Sequence, residues 1–281
     1  MPTYKIRYET WNKYQNHVGE SFFSFLVVPC GGDKQQLIKF KVENSLKEHS
    51  FFIKNHFGFN QLMIHSLKEF NELHLLMECE VKVLKINPFE FKGLSLPQEN
   101  EILNSYEFKI DNHLFLVDTH YTDVHPDQIS KEWRKTENET VFDFLLRINQ
   151  KIHAEFEFKP DDTSLSQNAY STMEKKKGVC QDFAHLFLGI VRANNIPGRY
   201  VSGYLNQGDE FTGSILMHAW IESLIPGVGW VGFDPTNNLV RDNHYIKVCH
   251  GTDYDDCSPI KGVLKTEGEN ETQYKVEVIQ Q

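Results

Sequence analysis

Long apolar runs are missing: nothing in the chain approaches the ~18 consecutive apolar residues that a membrane-spanning helix needs, so no helical span is expected. The start, Met1 to Glu9, has no basic segment followed by an apolar stretch, and no secretory leader is expected either. Positive charge is scarce, with 29 Lys and Arg against 39 Asp and Glu and a net charge of −10. That balance argues against a nucleic-acid partner, which would face a basic surface. Cysteines are few and odd in number (Cys30, Cys79, Cys180, Cys249 and Cys257), at spacings that do not read as a disulfide framework. Together with the missing leader, this leads to the expectation of a reducing, cytoplasmic location. Metal-ligand spacing is also lacking. His244, Cys249, His250 and Cys257 fit no common zinc pattern, and Asp253, Asp255 and Asp256 lack the glycine and glutamate of a calcium loop. That region reads as a structural loop, and neither metal nor cofactor is expected. The histidines of the first half are scattered without ligand spacing, and there is no internal repeat or low-complexity tract. Asn138-Glu139-Thr140 and Asn270-Glu271-Thr272 match the glycosylation acceptor pattern, but without a leader both read as chance.

What is present is ordinary for a globular chain: 40% hydrophobic and 24% charged residues, with 21 Phe, 11 Tyr and 4 Trp to fill its cores. A length of 281 residues is comfortable for two domains at ~100–200 residues each. The first ~90 residues alternate with a period of two. Tyr4, Ile6 and Tyr8 are interleaved with Lys5, Arg7 and Glu9, and Leu73, Leu75, Met77, Cys79, Val81 and Val83 recur at every second position. Phe22 to Val28 is an apolar run ended by Pro29, Gly31-Gly32-Asp33 is a turn, and Ile38, Phe40 and Val42 alternate again. Short strands with turn signals between them indicate an antiparallel sandwich or barrel. Phe108 to Val117 is read as one more strand, although Pro88, Pro97 and Pro126 break any long element. The domains are placed at 1–125, β-rich, and 126–281, the core.

From Thr140 the period changes to that of an amphipathic helix, through Val141, Phe144, Leu145, Ile148 and Ile152. A polar loop, Asp161 to Asn168, precedes a second helix that opens at Cys180, buries Ala184, Phe187, Leu188 and Val191, and stops at Asn194-Asn195. Strands follow at Arg199–Tyr204, His218–Ser223 and Gly229–Asp234, so the second half is α+β. A free cysteine is most often a small buried hydrophobe, so Cys180 gains a chemical reading only from its surroundings. At a helix start, unpaired amides and the helix dipole favour a thiolate and can receive an oxyanion. A hairpin centred on Pro226 sets His218 opposite Asp234, which lets the carboxylate hold one imidazole nitrogen and aim the other at a thiol. Taken by itself, the pair reads equally as a strand cap and an Asp-Pro turn.

The segments Gly178-Val179-Cys180-Gln181-Asp182-Phe183-Ala184-His185, Arg199 to Tyr204, His218-Ala219-Trp220 and Asp234-Pro235-Thr236 stand in an order that resembles the bacterial transglutaminase-like superfamily. These are papain-like thiol enzymes, several of them predicted cysteine proteases, in which a β-rich domain precedes the core. The resemblance runs from Thr140 to about Val240, weakly over the N-terminal strands, and over Gly251 to Gly262. There Gly251-Thr252-Asp253-Tyr254 departs from the Gly-Arg-Asp-Tyr of relatives.

It implies Cys180 as nucleophile, His218 as base and then acid, and Asp234 as the orienting carboxylate. Trp220 and Tyr204 are candidates for the cleft wall, while His185 and Asp182 read as structural. The activity implied is a thiol hydrolase (a cysteine protease or amidase) acting on a peptide, isopeptide or related amide bond of a peptide or protein substrate through a thioester. The alternatives are transfer of the acyl group to an amine, as in a transglutaminase, and a peptide-binding module without catalysis. Neither residue pattern nor resemblance bears on oligomeric state.

Overall fold

A computed structural model describes residues 1–124, 129–160, 167–206 and 216–281. The expected domain boundary near residue 125 and most of the Asp161–Asn168 loop lie outside the described residues. The first half supplies β1 (Thr3–Val18), β2 (Ser21–Phe25), β3 (Gln35–Asn44), β4 (Ser50–Lys54), β5 (Asn60–Ser66) and β6 (Phe70–Val83). Next come α1 (Leu96–Asn104), α2 (Tyr106–Asp111), α3 (Val141–Glu155), β7 (Glu157–Phe158), α4 (Ala169–Lys175), β8 (Lys177–Gly178) and α5 (Cys180–Ala193). The remainder is β9 (Gly198–Leu205), β10 (His218–Ile225), β11 (Gly229–Asp234), β12 (Leu239–Val240), β13 (Tyr245–Gly251), α6 (Tyr254–Cys257), β14 (Ile260–Leu264) and β15 (Asn270–Gln280).

The period-two segments form a sandwich of two antiparallel sheets, ordered β15-β1-β6-β3 and β14-β2-β5-β4. Tyr4, Ile6 and Tyr8 of β1 and Leu73 to Val83 of β6 point inward, with Tyr4 paired to Val81 and Ile6 to Cys79. Each such burial is worth ~1.5–3 kcal/mol for a large apolar side chain. Phe23 of β2 meets Phe70 of β6 with centroids 6.3 Å apart, which joins the two sheets. The last two strands return to this sandwich. β15 pairs with β1 from Tyr4–Gln280 to Tyr14–Asn270, and β14 pairs with β2.

The strand expected over Phe108–Val117 is instead α2 followed by a 3-10 turn at His113–Phe115. Ser105 accepts the amide of Phe108 and so starts a helix, and Ile110, Leu114 and Val117 stay exposed, leaving no buried alternate face. The core is α+β, as expected. A five-stranded antiparallel sheet, β12-β11-β10-β9-β13, carries α5 on one face. Thr140 caps α3 by accepting the Asp143 amide, and Val141, Phe144, Leu145, Ile148 and Ile152 are all buried. Helix α5 is buried on nearly every side, the mark of a central helix, and Phe187 packs on Phe233 of β11 at 6.1 Å. On the opposite face Trp220, Val201, Leu205 and Tyr245 form a second apolar cluster. The Gln35 side chain bridges sandwich and core there, donating to the Lys247 carbonyl at 2.7 Å and accepting the Lys247 amide at 2.9 Å.

Candidate active site around Cys180

The backbone leading into Cys180 is pinned from three sides. Lys176 takes a left-handed conformation (φ 51°) that ends α4. Strands β7 and β8 then pair in parallel, Phe158 against Gly178, and the Lys159 amide donates to the Gly178 carbonyl at 2.9 Å. Val179 has no side chain that could cap α5, so Asp182 supplies the cap by reaching back to accept the Val179 amide at 2.8 Å. Cys180 is the first residue of the helix, half-buried, where first-turn amides have no intrahelical acceptor. The structural reading of Asp182 is consistent with this role.

Gly178 makes the cap possible, because a Cβ there would meet Asp182 Cβ at 2.7 Å and Oδ2 at 2.8 Å. Gly178→Ala is therefore expected to lose about 1–3 kcal/mol of stability by overpacking and to slow alkylation of Cys180. Thermal unfolding and timed iodoacetamide labelling measure the two effects. Wild-type values for both would remove Asp182 as the element that sets the helix start.

His218 Nε2 lies 2.7 Å from Asp234 Oδ2, both side chains are shut from solvent, and Cys180 at the start of α5 is near enough to act on the His218 ring. His218 and Asp234 are not directly opposite, as a hairpin centred on Pro226 would have them. Ile225 pairs with Gly229 and Ile221 with Phe233, so the turn is centred on Gly227. Pro226 and Gly227 (φ +76°) occupy the middle of a tight turn closed by Val228 N–H to Ile225 O, and Gly229 (φ +101°) rejoins the strand. Continued by one pair, that register sets Asp234 across from Trp220 and His218 on the diagonal. Diagonal neighbours remain within reach of long side chains.

Among the described residues, Asp234 accepts five hydrogen bonds. Oδ2 takes His218 Nε2 together with Tyr245 OH and Asn237 Nδ2, both at 2.8 Å, and Oδ1 takes the amides of Thr236 at 3.0 Å and Asn237 at 3.3 Å. A carboxylate surrounded only by donors must be ionised. Burial would raise its pKa, but the charge and hydrogen bond of His218, with the hydrogen bonds of Asn237 and Tyr245, bring it below the usual carboxylate range. His218 Nε2 therefore carries a proton. Burial works against a charged ring, yet the Asp234 charge and hydrogen bond, helped by Cys180, push the His218 pKa up to about 10. His218 Nδ1 is buried and has no hydrogen-bond partner among the described residues. The ring is thus held by its far nitrogen, with the near one left for a proton.

Trp220 and Tyr204, expected at the cleft wall, are both fully enclosed. Trp220 stacks beside His218 at 6.3 Å, and Tyr204 donates its hydroxyl to the Val27 carbonyl at 2.6 Å, so each supports the sheet and presents no surface to a ligand. His185 lies between Tyr121 and Tyr200 and accepts the Tyr254 amide at 3.2 Å. Burial, aided by Arg192, pushes its pKa down to about 3, which keeps it a neutral acceptor. The region expected to be a loop is strand β13 up to Gly251. Beyond it, Thr252, where the family resemblance would place arginine, turns its hydroxyl and amide to Asp256. Three residues of the site have no place in the sequence argument. Tyr245 lies eleven positions from Asp234 with no motif to tie them, whereas Asn237, just after Asp-Pro-Thr, is open to a turn-based argument. Tyr274, half-exposed on β15, comes near enough to Cys180 for their charges to interact and stands close to Tyr254.

Residues 127–235 match the profile of the transglutaminase-like superfamily. An uncharacterised protein of Mycobacterium leprae is 33% identical over 167 residues, which cover 58% of this chain and 59% of that protein. A second uncharacterised protein, from Mycobacterium tuberculosis, is 34% identical over 46% of this chain and 44% of its own length. The chain thus spans about half the length of these relatives. A protein-glutamine gamma-glutamyltransferase of Pseudomonas aeruginosa is 33% identical over 106 residues, 35% of this chain and 15% of the transferase. The fold is shared with a crystal structure from Cytophaga hutchinsonii, of a protein proposed to be a cysteine protease. That match has a TM-score of 0.76 and 22% identity, covering 99% of this chain and 90% of the other. The segment that holds Cys180, His218 and Asp234 matches a transglutaminase-like core.

Proposed function

We propose that the chain is a thiol hydrolase that cleaves a peptide, isopeptide or related amide bond through a thioester on Cys180. The observation that supports this most is the buried His218, fixed through Nε2 by Asp234 at 2.7 Å and unpaired at Nδ1. In the proposed cycle the Cys180 proton already rests on His218 Nδ1 when Sγ attacks the substrate carbonyl, and first-turn amides of α5 receive the oxyanion. The tetrahedral intermediate expels the amine, which takes the proton from Nδ1 and leaves the acyl group on sulfur. Water then attacks the thioester, giving its proton to Nδ1. Collapse releases the acid and leaves the sulfur free again, with the proton from water on His218 Nδ1. Asp234 stays ionised and orients the ring throughout.

A second reading is supported by the Pseudomonas aeruginosa transferase: the same thioester passes its acyl group to an amine. The two readings share every step up to the acceptor. Incubating the protein with glutamine-containing peptides and a dansylated amine, while measuring ammonia, new peptide ends and incorporated dye, separates them. Peptide ends or ammonia without dye means hydrolysis, and dye incorporation means transfer. No product of any kind would leave the binding-module alternative.

The proton inventory predicts a pH profile. Because the folded-state pKa of His218 lies above the unfolded ~6.5, its contribution to stability is whole below that pH and is lost as pH rises towards about 10. Activity should follow the same ring and fall on the alkaline side near pH 10, as Nδ1 loses the proton owed to the leaving amine. An alkaline limb of kcat/KM near the unperturbed histidine value would contradict the Asp234–His218 pairing as drawn.

A further inference from the structure

Four residues along β10 from His218, on the same face of the sheet, Glu222 lies almost wholly buried beneath a group of cations. Arg199 donates to its Oε2 through Nε at 2.8 Å and through Nη2 at 2.6 Å, and Lys247 Nζ reaches the same oxygen. Arg241 approaches from the far side. Gly232, paired directly with Glu222, carries the Arg241 stem, and a Cβ on Gly232 would meet Arg241 Cβ at 2.6 Å. Lys34, from the sandwich, donates to the Trp230 carbonyl at 3.4 Å, and the Arg199 guanidinium lies 4.0 Å over the Trp230 ring. One carboxylate thus faces four cationic side chains.

Arg241 is the residue that this arrangement leaves unexplained. It is 6% exposed, its guanidinium forms no hydrogen bond or ion pair among the described residues, and its Nε is shut from solvent. Asp242, next in sequence, forms no ion pair with it among the described residues and turns its carboxylate to His244 Nδ1 at 2.8 Å. A buried guanidinium with five donors ordinarily finds acceptors. Burial, with Lys247 and Arg199, pushes the His250 pKa down to about 2, and burial, with Arg241 and Arg199, lowers that of Lys34.

We propose that Arg241, with Lys34 and Arg199 beside Trp230, forms a binding site for a phosphate group, either free or esterified to a small molecule, at the junction of sandwich and core. A phosphate dianion suits the charge excess, and guanidinium groups match its oxygens in a two-pronged geometry. The site is separate from the Cys180 cleft, because fully buried Trp220 stands between Glu222 and His218 on β10. The reading therefore does not depend on the chemistry proposed for Cys180.

The test is thermal unfolding and calorimetric titration of the full chain with inorganic phosphate, phenyl phosphate and acetate, each against sodium chloride at equal ionic strength. The expected result is a saturable rise in Tm and measurable heat with phosphate, absent with chloride and weaker with acetate. A response to phenyl phosphate at lower concentration than to phosphate identifies an ester as the ligand, and the reverse identifies the free ion. Arg241→Gln and, independently, the exposed Lys34→Gln should each weaken phosphate binding about tenfold, as the loss of one charge-assisted contact does. Lys34→Gln keeps the test open if Arg241→Gln does not fold. A Tm that follows ionic strength alone, or an unchanged phosphate affinity in the variants, overturns the proposal.

Discussion

Cys180→Ala is expected to abolish turnover of any amide substrate, by roughly 10^4-fold or more, since removing the nucleophile of an acyl-transfer site leaves only binding and oxyanion stabilisation. It should barely alter the fold. Cys180 is half-buried at the first position of α5, and alanine is a good helix former. The other cysteines make labelling a sharp readout. Cys79, Cys249 and Cys257 are buried, and burial pushes the thiols of Cys79 and Cys30 up to about 12 and about 11. Brief iodoacetamide treatment of the native protein should therefore modify one cysteine in the wild type and none in the variant, located by peptide mass. A fast-reacting thiol that survives Cys180→Ala, or equal product formation by the two proteins, would sink the thioester mechanism. His218→Ala should depress both labelling and turnover, because it removes the group that accepts the thiol proton.

Residues whose partners are near in sequence, or whose faces repeat with a fixed period, are legible in the amino-acid sequence alone. Alternation in Tyr4–Tyr8 and Leu73–Val83 marks two strands because one face of each is buried. The helix start at Cys180 is readable because Gly178 precedes it and the apolar stripe begins just after it. β4 is not readable, since Ser50–Lys54 has no buried residue and hence no alternation to detect. β15 is hidden for a related reason. Only Val276 is buried among its eleven residues, and its register with β1 is set by a partner more than 250 positions away. The hairpin departs from expectation locally: Pro-Gly announces a turn, but the left-handed Gly229 moves its centre by one residue and the cross-strand pairing by two. Assigning Trp220 and Tyr204 to the cleft fails because burial of a large aromatic depends on what packs above the sheet. Here Tyr204 is covered by sandwich backbone at Val27 and Trp220 by Val201, Leu205 and Tyr245, whose approach no local pattern announces.

The network on Glu222 carries the second large effect. Glu222→Gln keeps the size of the side chain and removes the one negative charge among Arg199, Lys247 and Arg241. The loss should be about 3–5 kcal/mol, because breaking a buried pair strands the partner charges while their desolvation remains. Burial would raise the Glu222 pKa, but Lys247, then Arg199 and Arg241, depress it far below the usual carboxylate value. Its contribution is therefore whole above the unfolded value of ~4.3 and is lost only as pH falls below it. Urea unfolding of wild type and variant should accordingly show a constant gap from neutral pH down to about 5, narrowing in stronger acid. A gap under 1 kcal/mol at pH 7 would mean that water already screens the cluster. Phosphate adds a separate lever. If an anion joins the same cations, it should recover more stability in Glu222→Gln than in the wild type, because more positive charge then lacks a partner. The opposite order would place any bound phosphate outside the reach of Glu222 and its cations.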